Sequence, residues 1–245
     1  MLRLWPFALL LPLLLIGACS PEEDPYAPTD DAAYYPLEIG KYWIYEVDSL
    51  IYRPELVVEL DSIHLWMKEE VVDTLQDNLG NTLYLVEQSE RYAATAPWVL
   101  KQLLTIQPET ERLLRTENNL KFIKLVFPVD LFQSWEGNAF IDPTTEVRVG
   151  GETIQMFKDW SYQTLERLET LVVGGQTYED VILVAPAQSE NLIELRRVEE
   201  YYGRNIGLLR RTLEILDTQT IDPATDWKDK AEKGFMLNQT LLEHN

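Results

Sequence analysis

The sequence contains a single cysteine, Cys19, and only two histidines, His64 and His244. One cysteine excludes a disulfide within the chain and a metal site built from several cysteines. Neither histidine belongs to a zinc-binding HExxH motif, and the sequence has no G-x-S-x-G nucleophile motif and no phosphate-binding glycine loop. We therefore assign no catalytic residue, no metal ligand and no cofactor, and we expect a protein that is not an enzyme.

Basic residues are also scarce. The chain has 21 lysines and arginines against 41 aspartates and glutamates, a formal net charge of -20. A protein this acidic is repelled by phosphate backbones, which argues against nucleic-acid binding. The carboxylates leave glycoside hydrolysis open as an alternative, because its acid pair is defined by separation in space. We interpret the doublets Glu69-Glu70 and Glu199-Glu200 as solvated strand edges or turns.

Long hydrophobic runs are limited to the N-terminus, at residues 4–18. This run is shorter than the about 20 residues of a membrane-spanning helix and has the length of a signal-peptide core. Its end, Ile16-Gly17-Ala18-Cys19, resembles the bacterial lipobox. The resemblance implies that residues 1–18 are a signal peptide, that cleavage falls between Ala18 and Cys19, and that Cys19 carries the acyl chains, palmitate among them, that anchor the protein in a membrane.

Residues 19–33 are acidic and contain three prolines. Such a segment buries too little apolar surface to offset its ordering entropy, so we expect a disordered tether. Ser20 is not the aspartate linked to inner-membrane retention in many lipoproteins, which favours the outer membrane. The acidic Glu22-Glu23-Asp24 resembles the surface-export signal of Bacteroidota lipoproteins, so the periplasmic face and the cell surface stay open as alternatives.

From Tyr34 onward the apolar residues alternate with a period of two, which is typical of half-buried strands. The segments 41–47, 121–127 and 209–215 show this pattern, and the continuously apolar Val181–Val184 predicts a strand covered on both faces. Turn residues at 77–81 and 174–175 separate the runs and favour hairpins, and Asn118-Asn119 is a further turn signal.

Helical signals are weak by comparison. Leu100, Leu103 and Leu104 have helical spacing, but Pro108 would end a helix there, so we expect at most short helices. The sequence predicts a single mainly β domain at residues 34–245, a single antiparallel meander that forms an open or closed barrel-like sheet.

Several segments together resemble a group of uncharacterised lipid-anchored envelope lipoproteins of Bacteroidota. They are Tyr35-Pro36-Leu37 with Gly40, Trp43 and Tyr45, Glu117-Asn118-Asn119-Leu120 through Pro128, Trp135-Glu136-Gly137-Asn138, Gly175-Gln176-Thr177-Tyr178 and Tyr201-Tyr202-Gly203. The likeness covers nearly the whole chain after Cys19, although Gly203-Arg204-Asn205 stands where relatives carry Ala-Arg or Ala-Pro. It implies a lipid-tethered, β-rich envelope protein and no particular activity.

Four large aromatic residues are candidates to face a ligand: Trp43, Tyr45, Phe122 and Trp135. The alternative role for each is packing in the core. If they line a void, they would favour a carrier with an apolar cavity inside the sheet.

Three short motifs, Asp48-Ser49-Leu50, Asp61-Ser62-Ile63 and Asp73-Thr74-Leu75, resemble the acceptor motif of Bacteroidota O-glycosylation. The resemblance makes Ser49, Ser62 and Thr74 candidate O-glycosylation sites, with chance occurrence as the alternative.

These observations predict a non-enzymatic envelope lipoprotein that acts as a binding or accessory module. A carrier of a lipid or small molecule is the first alternative, and a carboxylate-dependent glycosidase is the second. The expected partners are a membrane, through the N-terminal lipid, and either an envelope protein or a small apolar ligand.

Overall fold

The computed structural model describes residues 30–54 and 58–245. The predicted cleavage and lipidation site at Ala18 and Cys19 lies outside the described residues. The described chain opens with a 3-10 turn at Asp31–Tyr34, in which Asp31 and Tyr34 are buried. Residues 30–33, which we expected to end the tether, therefore belong to the folded domain.

Fourteen strands and one short helix follow in the described part of the chain. They are β1 (Tyr42–Arg53), β2 (Glu59–Gln76), β3 (Thr82–Arg91), β4 (Val99–Pro108), β5 (Arg112–Glu117), β6 (Leu120–Val126), β7 (Ser134–Trp135), β8 (Val147–Val149), β9 (Glu152–Ile154), β10 (Tyr162–Val173), β11 (Gln176–Glu190), β12 (Glu194–Gly203), β13 (Gly207–Asp217), α1 (Trp227–Lys230) and β14 (Lys233–His244). No helix in these described ranges is long and apolar enough to cross a membrane.

Twelve strands form one antiparallel sheet in the order β6-β5-β4-β3-β2-β1-β14-β13-β12-β11-β10-β7, and β8 and β9 form a separate hairpin. Neighbouring strands in the large sheet are consecutive in sequence, except that β1 pairs with β14 and β10 pairs with β7. The predicted antiparallel, mainly β fold with at most short helices is confirmed.

The sheet curls until its two edges meet at Ile123 of β6. The Ile123 N–H donates to the Gly137 carbonyl at 2.8 Å, and the Ile123 carbonyl accepts from Trp135 Nε1 at 2.9 Å. A Cβ on Gly137 would lie 2.2 Å from the Tyr162 ring, so only glycine allows this close approach. The sheet is therefore barrel-like and is joined on one side by the segment that follows β7.

Most of the local predictions are confirmed. Val181–Val184 is buried on both faces. The turns at 77–81 and 174–175 each connect a hairpin, in which Gln76 pairs with Thr82 and Val173 pairs with Gln176.

The leucines with helical spacing lie in β4, where a bulge opposite Gln88 and Ser89 breaks the strict period of two, in agreement with the expectation of at most short helices. One local prediction is wrong. The strand at 121–127 is not half buried, because Phe122–Leu125 are all buried in β6. Its edge is covered where it meets the segment after β7.

The interior of the barrel divides into two halves along β1. In the first, which we call the filled half, Trp43 and Tyr45 are each 1% exposed and pack with buried aromatic and aliphatic side chains. Tyr35 enters this half from the 3-10 turn, 5.8 Å from the Trp43 ring and 6.2 Å from the Tyr202 ring. In the second, the open half, β1 continues with Ser49 and Ile51, which are only partly buried.

Candidate binding cleft

The open half contains a cleft of about 420 Å³, within the roughly 300–1,000 Å³ of small-molecule sites. The cleft arises because the inward residues of β1 become smaller along the strand, from Trp43 and Tyr45 to Val47 and Ser49. One side is an apolar wall made by Val47, Ile51, Ile63, Leu65, Met67 and Leu237. Ile63 is 37% exposed, so part of this wall is in contact with solvent.

The floor of the cleft is an ion-pair network of six side chains: Glu69, Arg115, Glu117, Lys124, Glu200 and Arg211. Arg115 is its first centre. Its guanidinium donates to both Glu69 carboxylate oxygens at 2.9 and 2.6 Å and to Glu117 at 2.8 Å. A bidentate pair of this kind holds both side chains in one orientation.

Glu200 is the second centre of the network. It accepts from Lys124 Nζ at 2.5 Å and from the Tyr202 hydroxyl at 2.7 Å. Arg211 Nε lies 3.0 Å from the same carboxylate, and Arg211 Nη2 lies 3.7 Å from Glu117. The network therefore joins β2, β5, β6, β12 and β13 across the interior.

The charges of the network balance, three acids against three bases. Burial alone would raise the pKa of Glu117, but Arg115, Arg211 and Lys124 outweigh it and lower that pKa from 4.5 to about 2. Burial likewise opposes ionisation of Glu200, and Lys124 and Arg211 still lower its pKa. Burial lowers the pKa of Lys124, although Glu200 opposes this effect. Glu117 and Glu200 are therefore ionised at neutral pH.

The interpretation of the two acidic doublets as solvated is wrong for one member of each. Glu69 is 2% exposed and Glu200 is 0% exposed, whereas Glu70 and Glu199 are only partly buried. Neighbouring residues on a strand point to opposite faces, so one glutamate of each doublet must point inward. Lys124, a charge inside the apolar run at 122–127, was the sequence signal for this interior charge.

The four candidate aromatic residues do not line the cleft. Trp43 Nε1 donates to the Ile206 carbonyl at 2.6 Å, and the Tyr45 hydroxyl donates to the Leu208 carbonyl at 3.1 Å. Phe122 is buried 5.7 Å from the Phe157 ring, and Trp135 packs against Tyr162. Their environments favour core packing, the alternative role that their sequence context left open.

The three candidate glycosylation residues lie on strands. Ser49 lies on β1 and lines the cleft, Ser62 is exposed on β2, and Thr74 is partly buried near the end of β2. Their modification stays a prediction.

Both histidines lie away from the cleft lining. His64 Nδ1 is 2.8 Å from the Asp48 carboxylate on the exposed side of β1 and β2. The His244 ring lies 6.2 Å from the Tyr178 ring. Within residues 30–54 and 58–245, no group of three or more potential ligands is placed to hold a metal ion.

Fold and site together define a barrel-like antiparallel domain with an internal cleft above buried ion pairs.

No family model matches the sequence, and no curated protein shows significant similarity to it. Two crystal structures show a low level of structural similarity to this chain. A candidate lipoprotein from Parabacteroides distasonis has a TM-score of 0.45 and 10% identity, and a candidate exported protein with a YmcC-like fold from Bacteroides fragilis has a TM-score of 0.41 and 9% identity. Each alignment covers 86% of this chain and 98% of the other. Similarity at this level supports no conclusion about function.

Proposed function

We propose that the protein is a non-enzymatic binding module of the bacterial envelope, anchored by lipid at Cys19, and that its ligand occupies the cleft. The observation that carries this proposal is the contrast inside one barrel, where one half is packed with aromatic side chains and the other holds a cleft of about 420 Å³. Protein interiors are normally packed to crystal-like density, so a space of this size with a built floor indicates a binding site.

The electrostatics of the floor support binding over hydrolysis. A glycosidase needs one carboxylic acid whose pKa is raised, so that it is protonated near neutral pH. The pKa values of Glu117 and Glu200 are instead lowered by neighbouring cations. Arg115 holds both oxygens of the Glu69 carboxylate in a bidentate pair, so this carboxylate is not free to act on a substrate.

The described N-terminal residues are held against the filled half by polar contacts. The 3-10 turn is fixed beside the filled half by Arg204, which contacts Asp31 at 3.1 Å and also pairs with Asp180. The Tyr34 hydroxyl donates to Asp180 at 2.6 Å. The lipid on Cys19 is proposed as the anchor, and the cleft of the folded domain is proposed as the ligand site. An outer-membrane location, on the periplasmic face or the cell surface, is part of the proposal.

Native mass spectrometry of the full-length protein, purified from its own host, tests the binding role. A Ser49→Trp variant fills the cleft, and Ser62→Trp on the exposed side of β2 is the matched control. We expect wild type and Ser62→Trp to retain a ligand mass that Ser49→Trp loses. Bare protein in all three samples, or turnover of an envelope glycan by the purified protein, would contradict the proposal.

Membrane fractionation tests the anchor separately. We expect wild type in the outer-membrane fraction and labelled by a palmitate analogue, whereas Cys19→Ser should lose the label. A labelled Cys19→Ser variant would rule out lipidation at this residue.

A further inference from the structure

We infer that the ligand is a single-chain amphiphile with an uncharged head rich in acceptor oxygens, whose head contacts Arg211 and whose hydrocarbon chain lies on the apolar wall. This inference rests on the proposed function, because it names the ligand class of the same cleft.

Arg211 provides unused hydrogen-bond donors at the cleft floor. A guanidinium carries five N–H donors. Arg211 Nε lies 3.0 Å from Glu200 in an ion pair without hydrogen-bond geometry, and Nη2 lies 3.7 Å from Glu117. Within the described ranges the side chain makes no other polar contact, so the guanidinium has N–H groups that no protein acceptor engages. Buried donors without acceptors are costly, and a ligand that supplies acceptor oxygens removes this cost.

The side-chain amide of Gln239 is a second polar group beside Arg211. The two residues are directly paired between β13 and β14, and both line the cleft. The Gln239 side chain is 5% exposed and makes no hydrogen bond within residues 30–54 and 58–245. Arg211 and Gln239 therefore form one donor-rich patch facing the same space.

The charge balance of the lining argues for an uncharged head. Four acids line the cleft, namely Glu69, Glu90, Glu117 and Glu200, and four bases oppose them, namely Lys101, Arg115, Lys124 and Arg211. A charged head would enter a lining that is already neutral and would have to lose its hydration without a free counter-charge. An anionic head would also be repelled by the protein as a whole, which carries a formal net charge of -20.

The apolar wall indicates the rest of the ligand. Ile51 and Leu65 are partly buried and Ile63 is 37% exposed, although all three face the interior of the sheet. A hydrocarbon chain laid across these side chains would remove apolar area from water at roughly 25 cal/mol per Å². The wall and the donor-rich patch lie in one cleft, so a molecule with an apolar chain and a polar head contacts both.

Native mass spectrometry tests this inference. It measures how defined probes bind the full-length protein in a single detergent. The probes are monopalmitoylglycerol, palmitate and hexadecyltrimethylammonium, which share a C16 chain and differ in head charge. We expect monopalmitoylglycerol to bind tightest. Arg211→Gln should weaken its binding about tenfold to a hundredfold, as expected for loss of hydrogen bonds from a charged donor. Arg210→Gln, an exposed neighbour on the same strand, is the matched control and should leave binding unchanged.

A second variant, Ile63→Gln, keeps the ion-pair network intact and should weaken all three probes. Tighter binding of palmitate or of the cationic probe, or equal binding of monopalmitoylglycerol by wild type and Arg211→Gln, would overturn the inference. If the host-purified protein retains a ligand that Ser49→Trp loses, but no C16 probe binds, the ligand class is wrong and the proposed function stands. If neither a retained ligand nor a probe occupies the cleft, both fail.

Discussion

The filled half and the open half of the barrel are built by the same strands, yet they differ in what their inward residues do. In the filled half, inward positions carry large side chains that pack to full burial, such as Trp43 and Ile182. In the open half, inward positions carry partly exposed aliphatic side chains, the small Ser49, and charged side chains that neutralise one another. Buried ion pairs are often no more stabilising than well-packed apolar side chains, so the open half is not explained by a need for stability.

The largest expected effect comes from breaking the floor of the open half. Glu200→Gln leaves the ammonium of Lys124 buried without its counter-charge, and such a change typically costs about 3–5 kcal/mol. The free energy of unfolding from urea titration measures it. Glu199→Gln, the neighbour on the outer face, is the control and should change stability by less than about 0.5 kcal/mol. Equal losses of unfolding free energy for the two substitutions would mean that the ion-pair network makes no specific contribution to stability.

A matched pair of isoleucines sharpens the comparison between the halves directly. Ile182 is 0% exposed in the filled half, and Ile63 is 37% exposed on the apolar wall. Ile182→Ala should cost about 2–5 kcal/mol of unfolding free energy, because it leaves a cavity in a packed core. Ile63→Ala should cost less than about 1 kcal/mol in ligand-free protein, since solvent already reaches that side chain. Similar losses at both positions would show that the open half is as tightly packed as the filled half.

A further expected effect is the pH dependence of the stability contributed by Glu117. Its pKa is lowered from 4.5 to about 2 in the folded protein, so its ionised form stabilises the fold above pH 4.5. That contribution is lost as the pH falls through about 2. The difference in unfolding free energy between wild type and Glu117→Gln should therefore shrink steadily between these two pH values. A difference that is constant or grows on acidification would contradict the lowered pKa.

Sequence patterns could predict the filled half but not the cleft. The alternation of Trp43, Tyr45 and Val47 is local, so it correctly indicates a strand with one buried face. The ion-pair network depends on contacts far apart in sequence, because Glu69 meets Arg115 46 residues away and Lys124 meets Glu200 76 residues away. Nothing local to Glu69 or Glu200 distinguishes a solvated glutamate from a buried one. The size of the cleft likewise depends on side chains from many strands at once.

A crystal structure of the full-length protein purified from its own host tests the central claim, that the cleft is a ligand site, most directly. The account predicts continuous non-protein density that extends from Arg211 along the wall towards Ile63. A cleft that holds only ordered water, or side chains that collapse to fill it, would contradict the claim.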